Sequence, residues 1–512
     1  MTHTRHGTST RRVVAALGGL LALGSAQALA DKRSNVLTVA FNGDVDTLDP
    51  ATGFAGSDYP VLYSIYERLI TFDPKTMRPL PGLAASWRFT GPDKRDFEMT
   101  LHPGVKFQDG TPVDAEAVKA SLLHFKEMKR LNDLDVVTSI DTAGPDKVIL
   151  HLSQEYSVLP AVLADRAGMV VSPTAVAKYG KDYPRHPVGA GPFQVRNWAP
   201  GTQIDLVKYS DYWDPSRIKL AGIQYKLILN PTSVIGAVLS GQVDMTWGID
   251  PKNLPVLRAS PRLRVETEPS TMYFYIALRH DMPLTDNKLV REALNISVDR
   301  KVLADAVVGP GNSGGPALML VPPASFAYSP QLADSQPYDP AKAKQLLAQA
   351  GYPNGITIKI CGSPLTGQGT DITDIESEQM KLAGIKLDVT IMSGSACLQR
   401  LNATKDFNGW QGAFSGRPDP FLTYSQTFMS TGQFNRGHMD FPGIDALVGR
   451  IPKLYTQEEQ KPVYDELNRR WIEEAPAIQL FYMPNYAVYS KDVAGERPSQ
   501  QGKPDLTTLY FK

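Results

Sequence analysis

The residue whose setting most suggests covalent chemistry is Ser313, in Gly311-Asn312-Ser313-Gly314-Gly315. A glycine-framed serine of the form G-x-S-x-G is the loop that exposes a hydrolytic nucleophile. Such a serine needs a general base within hydrogen-bond reach and a third group to orient that base. Beyond the first thirty residues, the histidines upstream are His102, His124, His151, His186 and His280. Their settings (TLHPG, SLLHF, ILHLS, PRHPV and LRHDM) do not resemble a catalytic histidine, and PALMLVPP after the serine does not read as the helix an elbow requires. Glycine and proline dominate Gly309 to Pro316, which predicts a loop. An exported serine hydrolase using Ser313 therefore stands as a rival reading only.

Metal chemistry has less to work with. Six histidines remain after the first thirty residues, with no pair at ligand spacing, so no metal site and no cofactor is expected. The two cysteines, Cys361 and Cys397, are a possible disulfide if the chain is exported. Such a bond would contribute roughly 3–4 kcal/mol in the chain-entropy model.

Export is expected from the N-terminus. Arg5, Arg11 and Arg12 precede an apolar run from Val13 to Leu23 that is too short to span a bilayer, and Ala28-Leu29-Ala30 offers a small-x-small cleavage pattern. Residues 1–30 are thus expected to be a signal peptide cleaved after Ala30, leaving a soluble periplasmic protein. The segment holds three arginines and no acid, so 53 basic against 53 acidic residues becomes 50 against 53. That balance, without a basic run, argues against nucleic acid and anionic membranes as partners.

Strand-like and helix-like segments alternate throughout, predicting an α/β architecture. Asp339-Pro340 opens a helix with a stripe of Ala343, Leu346, Leu347 and Ala350, closed by Gly351. A βαβ unit follows. Ile356, Ile358 and Ile360 alternate as on a strand; Ile372, Ile375, Gln379 and Leu382 share a helical face; Ile385, Leu387, Val389 and Ile391 alternate again. In FQDGTPVDAEAVKASLLHF (107–125), Asp109-Gly110 makes a turn, Asp114 caps a helix, and Val118, Leu122 and Phe125 line one side of it.

Several segments in order resemble the extracellular solute-binding proteins of family 5, the dipeptide-, oligopeptide-, opine- and nickel-binding proteins of ABC transporters. They include DTLDPA (46–51), YERLITFDP (66–74), LHPGVKFQDGTPVDAEAV (101–118), PVGAGPFQV (187–195), SGQVDM (240–245), YDPAKAKQLLAQAGYPNG (338–355) and EEAPAIQLFY (473–482). The resemblance implies a two-lobed periplasmic binding protein fold with an extra subdomain in the first lobe. Lobe I would comprise 31–58, 189–268 and 479–512, the extra subdomain 59–188, and lobe II 269–478. The chain would cross between lobes near Pro269–Met272 and near Ala475–Gln479, forming a hinge. The implied function is a non-catalytic, monomeric receptor that delivers a small molecule or peptide to ABC permease subunits. A nickel or haem carrier is a further alternative that the family allows.

Peptide-binding members resemble G-W-x-x-D near WQGAFSGRPDPF (410–421), where the aspartate pairs with the ligand's α-amine. Aligning Phe414 with the tryptophan puts Arg417 at the aspartate's place; aligning Trp410 puts Ala413 there. Arg417 presents a planar fork suited to a carboxylate, so a peptide-like, opine-like or organic-acid ligand is expected. The competing reading is a structural pair between Arg417 and Asp419, or between Arg417 and another acid of the second lobe. The further binding candidates are Trp410 and Phe414 for stacking, Trp247, Tyr273 and Tyr275 as walls, Asn435 and Arg436 in the loop approaching the cleft, and Thr47 at its polar edge.

Overall fold

A computed structural model describes residues 34–41, 43, 45, 47–53, 56–309, 314–362, 369–497 and 499–512. The expected signal segment and Ser313 lie outside the described residues. Two large sheets organise the chain. The first has seven strands in the order Leu263–Glu268, Asn485–Ser490, Met245–Trp247, Val36–Phe41, Gly222–Leu227, Gln203–Lys208 and Phe193–Ala199. The second has six, in the order Gly315–Pro316, Ala477–Tyr482, Tyr273–Leu278, Gly409–Phe414, Ile356–Gly362 and Ile385–Ile391. A separate antiparallel sheet of four strands, from Ala84–Thr90 to Lys147–Leu152, forms within the expected extra subdomain.

The chain passes from the first large sheet to the second between Glu268 and Tyr273, and returns between Tyr482 and Asn485. The sequence places such passages near Pro269–Met272 and near Ala475–Gln479. Ala477–Tyr482 pairs with Tyr273–Leu278, and all six of its residues are buried in the second sheet. An apolar strand buried on both faces carries no periodicity to tell which sheet it joins. The subdomain boundary at 59 is also softer than expected. The helix Tyr59–Ile65 packs into the first lobe's core beside Leu37, Val39 and Tyr225.

The βαβ unit forms with Ile356–Gly362 and Ile385–Ile391 parallel and in register, Ile356 opposite Ile385. Its helix ends at Lys381, which leaves Leu382 outside the apolar face and 67% exposed. Cys361 and Cys397 are disulfide-bonded, with Cα atoms 5.8 Å apart, tying the first of these strands to the helix Gly394–Ala403. Gly315–Pro316 pairs with Tyr482 and Phe481 at the sheet edge, so the segment after Ser313 runs as a strand end and not as an elbow helix.

Capping works locally as the residue types dictate. Asp339 accepts from the Lys342 amide at 2.8 Å, and Asp114 from the Ala117 amide at 2.9 Å, which opens the helix Ala115–Met128. Asp114→Ala is expected to cost about 1 kcal/mol, read as a lower urea midpoint.

His280 follows the strand Tyr273–Leu278, its Nε2 3.1 Å from the Pro476 carbonyl. Burial, reinforced by the Arg291 charge, pushes its pKa down to about 4. An unfolded histidine titrates near 6.5, so between these values the unfolded chain binds the extra proton. Stability is therefore fully present above about pH 6.5 and falls as pH drops toward 4, by at most about 1.4 kcal/mol per unit. His280→Gln should flatten the dependence of the urea midpoint on pH across that window.

Candidate functional site

The second lobe builds an aromatic wall from two adjacent strands. Tyr273–Leu278 and Gly409–Phe414 run antiparallel, with Tyr273 opposite Phe414, Tyr275 opposite Gly412 and Ala277 opposite Trp410. Period-2 alternation therefore puts Trp410 and Phe414 on the same face as Tyr275. Gly412 lies between them by necessity: a Cβ there would stand 2.2 Å from the Trp410 ring. The indole thus covers the glycine and meets Tyr275 edge-on, centroids 5.5 Å apart. Tyr273, on the same face, is fully buried, its ring 5.6 Å from the Phe414 ring.

In front of the wall is a cavity of about 260 Å³. Trp410, Phe414, Tyr275, Arg417 and Arg436 line it from the second lobe, with Phe434 between the two arginines. Their guanidinium carbons lie 5.6 and 5.2 Å from the Phe434 ring centroid. Tyr59 and Lys503 close the cavity from the other side. No carboxylate is among its described lining residues, against three cations.

Arg417 Nε donates to Gln426 Oε1 at 2.8 Å, and among the described residues the guanidinium forms no ion pair. The expected alternative pair with Asp419 is not made. Asp419 instead caps the helix Pro420–Thr427, accepting from the Phe421 amide at 2.8 Å, and does not reach this cavity. Burial pushes the Asp419 carboxyl up to about 6. Arg436 donates no side-chain hydrogen bond among the described residues, and burial lowers its pKa. Across the cleft, burial pushes Asp133 of the extra subdomain up to about 6, against the downward pull of Arg417.

Five residues named from sequence thus meet at one cavity: Arg417, Arg436, Trp410, Phe414 and Tyr275. Five others do not. Asp419 is a cap and Tyr273 a support. Asn435 spends its amide on the carbonyls of Met429, Ser430 and Met439, fixing the loop that carries Arg436. Thr47 lies within a turn, accepting from the Asp49 amide at 3.1 Å and bonded to Thr52 at 2.8 Å. Trp247 faces a separate small cavity beside Tyr486 and Tyr489, because its strand belongs to the first lobe's sheet. Sequence reasoning missed Tyr59, Phe434 and Lys503. Phe434 is adjacent to a named pair, and an aromatic beside a cation was the available signal. Nothing local marks the other two.

The extra subdomain also touches the second lobe. Tyr156 of the extra subdomain meets Phe421 edge-on at 5.7 Å, and Ser157 donates its amide to the Pro452 carbonyl at 2.8 Å. The histidines once weighed as bases have partners elsewhere, His124 with Asp49 and His151 with Asp96 and Asp141. Among the described residues no group of three or more His, Cys, Asp or Glu could hold a metal ion, and no helix is long and apolar enough to cross a membrane.

The family model for bacterial extracellular solute-binding proteins, family 5 Middle, matches residues 78–436. The glutathione-binding protein GsiB of Salmonella paratyphi A is 30% identical over 501 residues, covering 95% of this chain and 96% of that protein. DppA of Helicobacter pylori, solved with the peptide STSA, superposes with a TM-score of 0.81 at 20% identity, over 93% of this chain and 98% of its own. AgaA of A. tumefaciens R10, solved with agropinic acid, superposes with a TM-score of 0.80 at 23% identity, over 93% and 99%. The fold is that of the two-lobed periplasmic binding proteins.

Proposed function

Because the chain belongs to the bacterial extracellular solute-binding proteins of family 5, whose members bind solutes and are not enzymes, we propose that it is a monomeric periplasmic receptor that closes on a carboxylate-bearing, peptide-like solute and delivers it to an ABC permease. The observation that carries this reading is the cavity between the lobes. It has an aromatic wall, three cations and no carboxylate among its described lining residues.

Burying cations without counter-ions is costly, and a solute carboxylate supplies what Arg417 and Arg436 lack. The planar guanidinium of Arg417, held at Nε by Gln426, keeps its remaining donors for a bidentate acceptor. Trp410 and Phe414 supply apolar area for the solute's body. A solute that touches both lobes favours the closed arrangement by its differential affinity for it, and the two chain passages near 268–273 and 482–485 serve as the hinge. In this reading lobe II extends to Tyr482 and lobe I resumes at Asn485, a division that the strand pairings support.

The relatives bracket the chemistry. Glutathione, named for GsiB, is a peptide with free carboxylates, and agropinic acid, bound by AgaA, is an acid. The test is a titration of the purified protein, followed by tryptophan fluorescence, with acidic peptides and their fully esterified forms. The free acids should bind and the esters should bind at least about tenfold more weakly. Equal affinities would refute an anion-reading cavity.

A further inference from the structure

The C-terminal segment brings a cation to the cavity from the first lobe. Gly502 has φ +68°, and a Cβ there would stand 2.5 Å from Asn485 Oδ1, so the turn depends on glycine. The turn is tied down by the Gly502 amide on the Ser499 carbonyl at 3.1 Å and by Asn485 Nδ2 on the same oxygen at 3.0 Å. Lys503 follows directly. It is 7% exposed and lines the cavity, its ammonium 3.7 Å from the Tyr59 ring centroid.

No described residue accepts a hydrogen bond from this ammonium. Asp165 stands 4.0 Å away, at the outer edge of an ion pair, and is itself occupied by the Arg166 amide at 3.0 Å and by the Tyr59 hydroxyl. Three cations act on Lys503 against Asp165: Arg417 across the cleft, and Arg166 and Arg68 on its own side. On the side away from the cleft, Lys503 also borders cavities whose linings include Glu67, Glu496 and Asp505, but none of these carboxylates lies within ion-pair distance of it or lines the cavity between the lobes. A buried ammonium with unspent donors, facing only cations across the cleft cavity, calls for an anion there.

The opposite wall already offers Arg417 and Arg436 on either side of Phe434. One carboxylate can engage that pair and leaves Lys503 unsatisfied. We propose that Lys503 is the first-lobe anchor for a second anionic group of the solute, so that the receptor selects compounds with two carboxylates over otherwise identical compounds with one. This rests on the cavity being an anion site. Because the arginine pair and the lysine belong to different lobes, a dianion is held at both ends only when the lobes are together, which couples charge selection to closure.

Burial pulls the Lys503 pKa down to about 8, with Asp165 opposing and Arg417, Arg166 and Arg68 adding to the shift. The ammonium is charged below that value and neutral above it. Affinity for a dianion should therefore fall as pH rises through about 8, while a mono-anion held by the arginines changes less.

The experiment is calorimetry with glutathione, which carries two carboxylates, and with its glycyl monoethyl ester. Wild type, Lys503→Met, Lys503→Gln and Lys503→Arg are compared after thermal melts identify the folded variants. The wild type should prefer the diacid by about tenfold or more. Either neutral variant should bring the ratio to within about threefold, and Lys503→Arg should keep it. The proposal is overturned if the neutral variants retain the preference, if the wild type has none, or if neither compound binds. A bound solute with a single carboxylate that still depends on Arg417 removes the role of Lys503 and leaves the anion site standing; a bound solute with no anionic group removes both.

Discussion

Arg417→Ala is expected to lower affinity for a carboxylate-bearing solute by about 100-fold, close to 3 kcal/mol, while the ligand-free protein melts no lower than wild type. Truncating one member of a buried, hydrogen-bonded charge pair typically costs 2–5 kcal/mol, because the remaining charge stays buried without its partner. Here the stranded charge would be the solute's. Without a solute little holds the side chain: among the described residues Arg417 forms no ion pair, and its guanidinium donates to Gln426 at 2.8 Å. It also raises the cost of charging Lys503. In turn it eases the charging of Asp133 and Asp165, so removing it trades relieved repulsion against lost attraction and should leave the ligand-free stability nearly unchanged. Arg417→Lys separates charge from shape, since an ammonium keeps the charge without the fork and should recover only part of the affinity. Calorimetric titration beside thermal melts of the ligand-free variants reads both effects. A loss of binding matched by a loss of ligand-free stability would mean that Arg417 is a structural residue.

Asp58→Ala should destabilise the protein by about 3–5 kcal/mol. Asp58 and Arg166 form an ion pair at 3.2 Å, their side chains 0% and 2% exposed. Arg166 also lies 4.2 Å from the centroid of Tyr59, the ring beneath Lys503. The packing is tight: a Cβ on Gly53 would stand 2.7 Å from Asp58 Oδ2 and 3.2 Å from Arg166 Nη1. Alanine at 58 leaves the guanidinium buried with its main counter-charge gone. Replacing both partners, Asp58→Ala with Arg166→Met, should cost less than the sum of the single changes, since an apolar pair strands no charge. Urea unfolding of the four proteins in a cycle gives the coupling. Additive losses would mean that the two side chains act independently.

Much of the architecture could be read from local pattern because local physics decides it. Caps at Asp114 and Asp339 and the alternating isoleucines from Ile356 to Ile391 formed as their types and spacing require. Arg417, Trp410 and Phe414 were legible because they sit on and just after one strand, where alternation fixes the face. The misses have physical causes. Asp419-Pro420 is a helix start, and the carboxylate that caps a helix is not available to a solute. Tyr273 and Tyr275 share a face, but Tyr275 lines the cavity and Tyr273 is covered. Asn435 is polar because its loop needs three carbonyls held. Tyr59 and Lys503 are separated by more than four hundred residues and meet only through the tertiary fold, so no window of sequence contains their signal.

What this molecule carries can be seen without any assumption about which compound to add. Protein purified from its native host, desalted and then denatured, should release a small molecule in near-stoichiometric amount. Mass spectrometry should find a peptide-like compound bearing carboxylates. Release of a cationic or uncharged solute, or of a metal chelate without free acid groups, would contradict an anion-binding clamp.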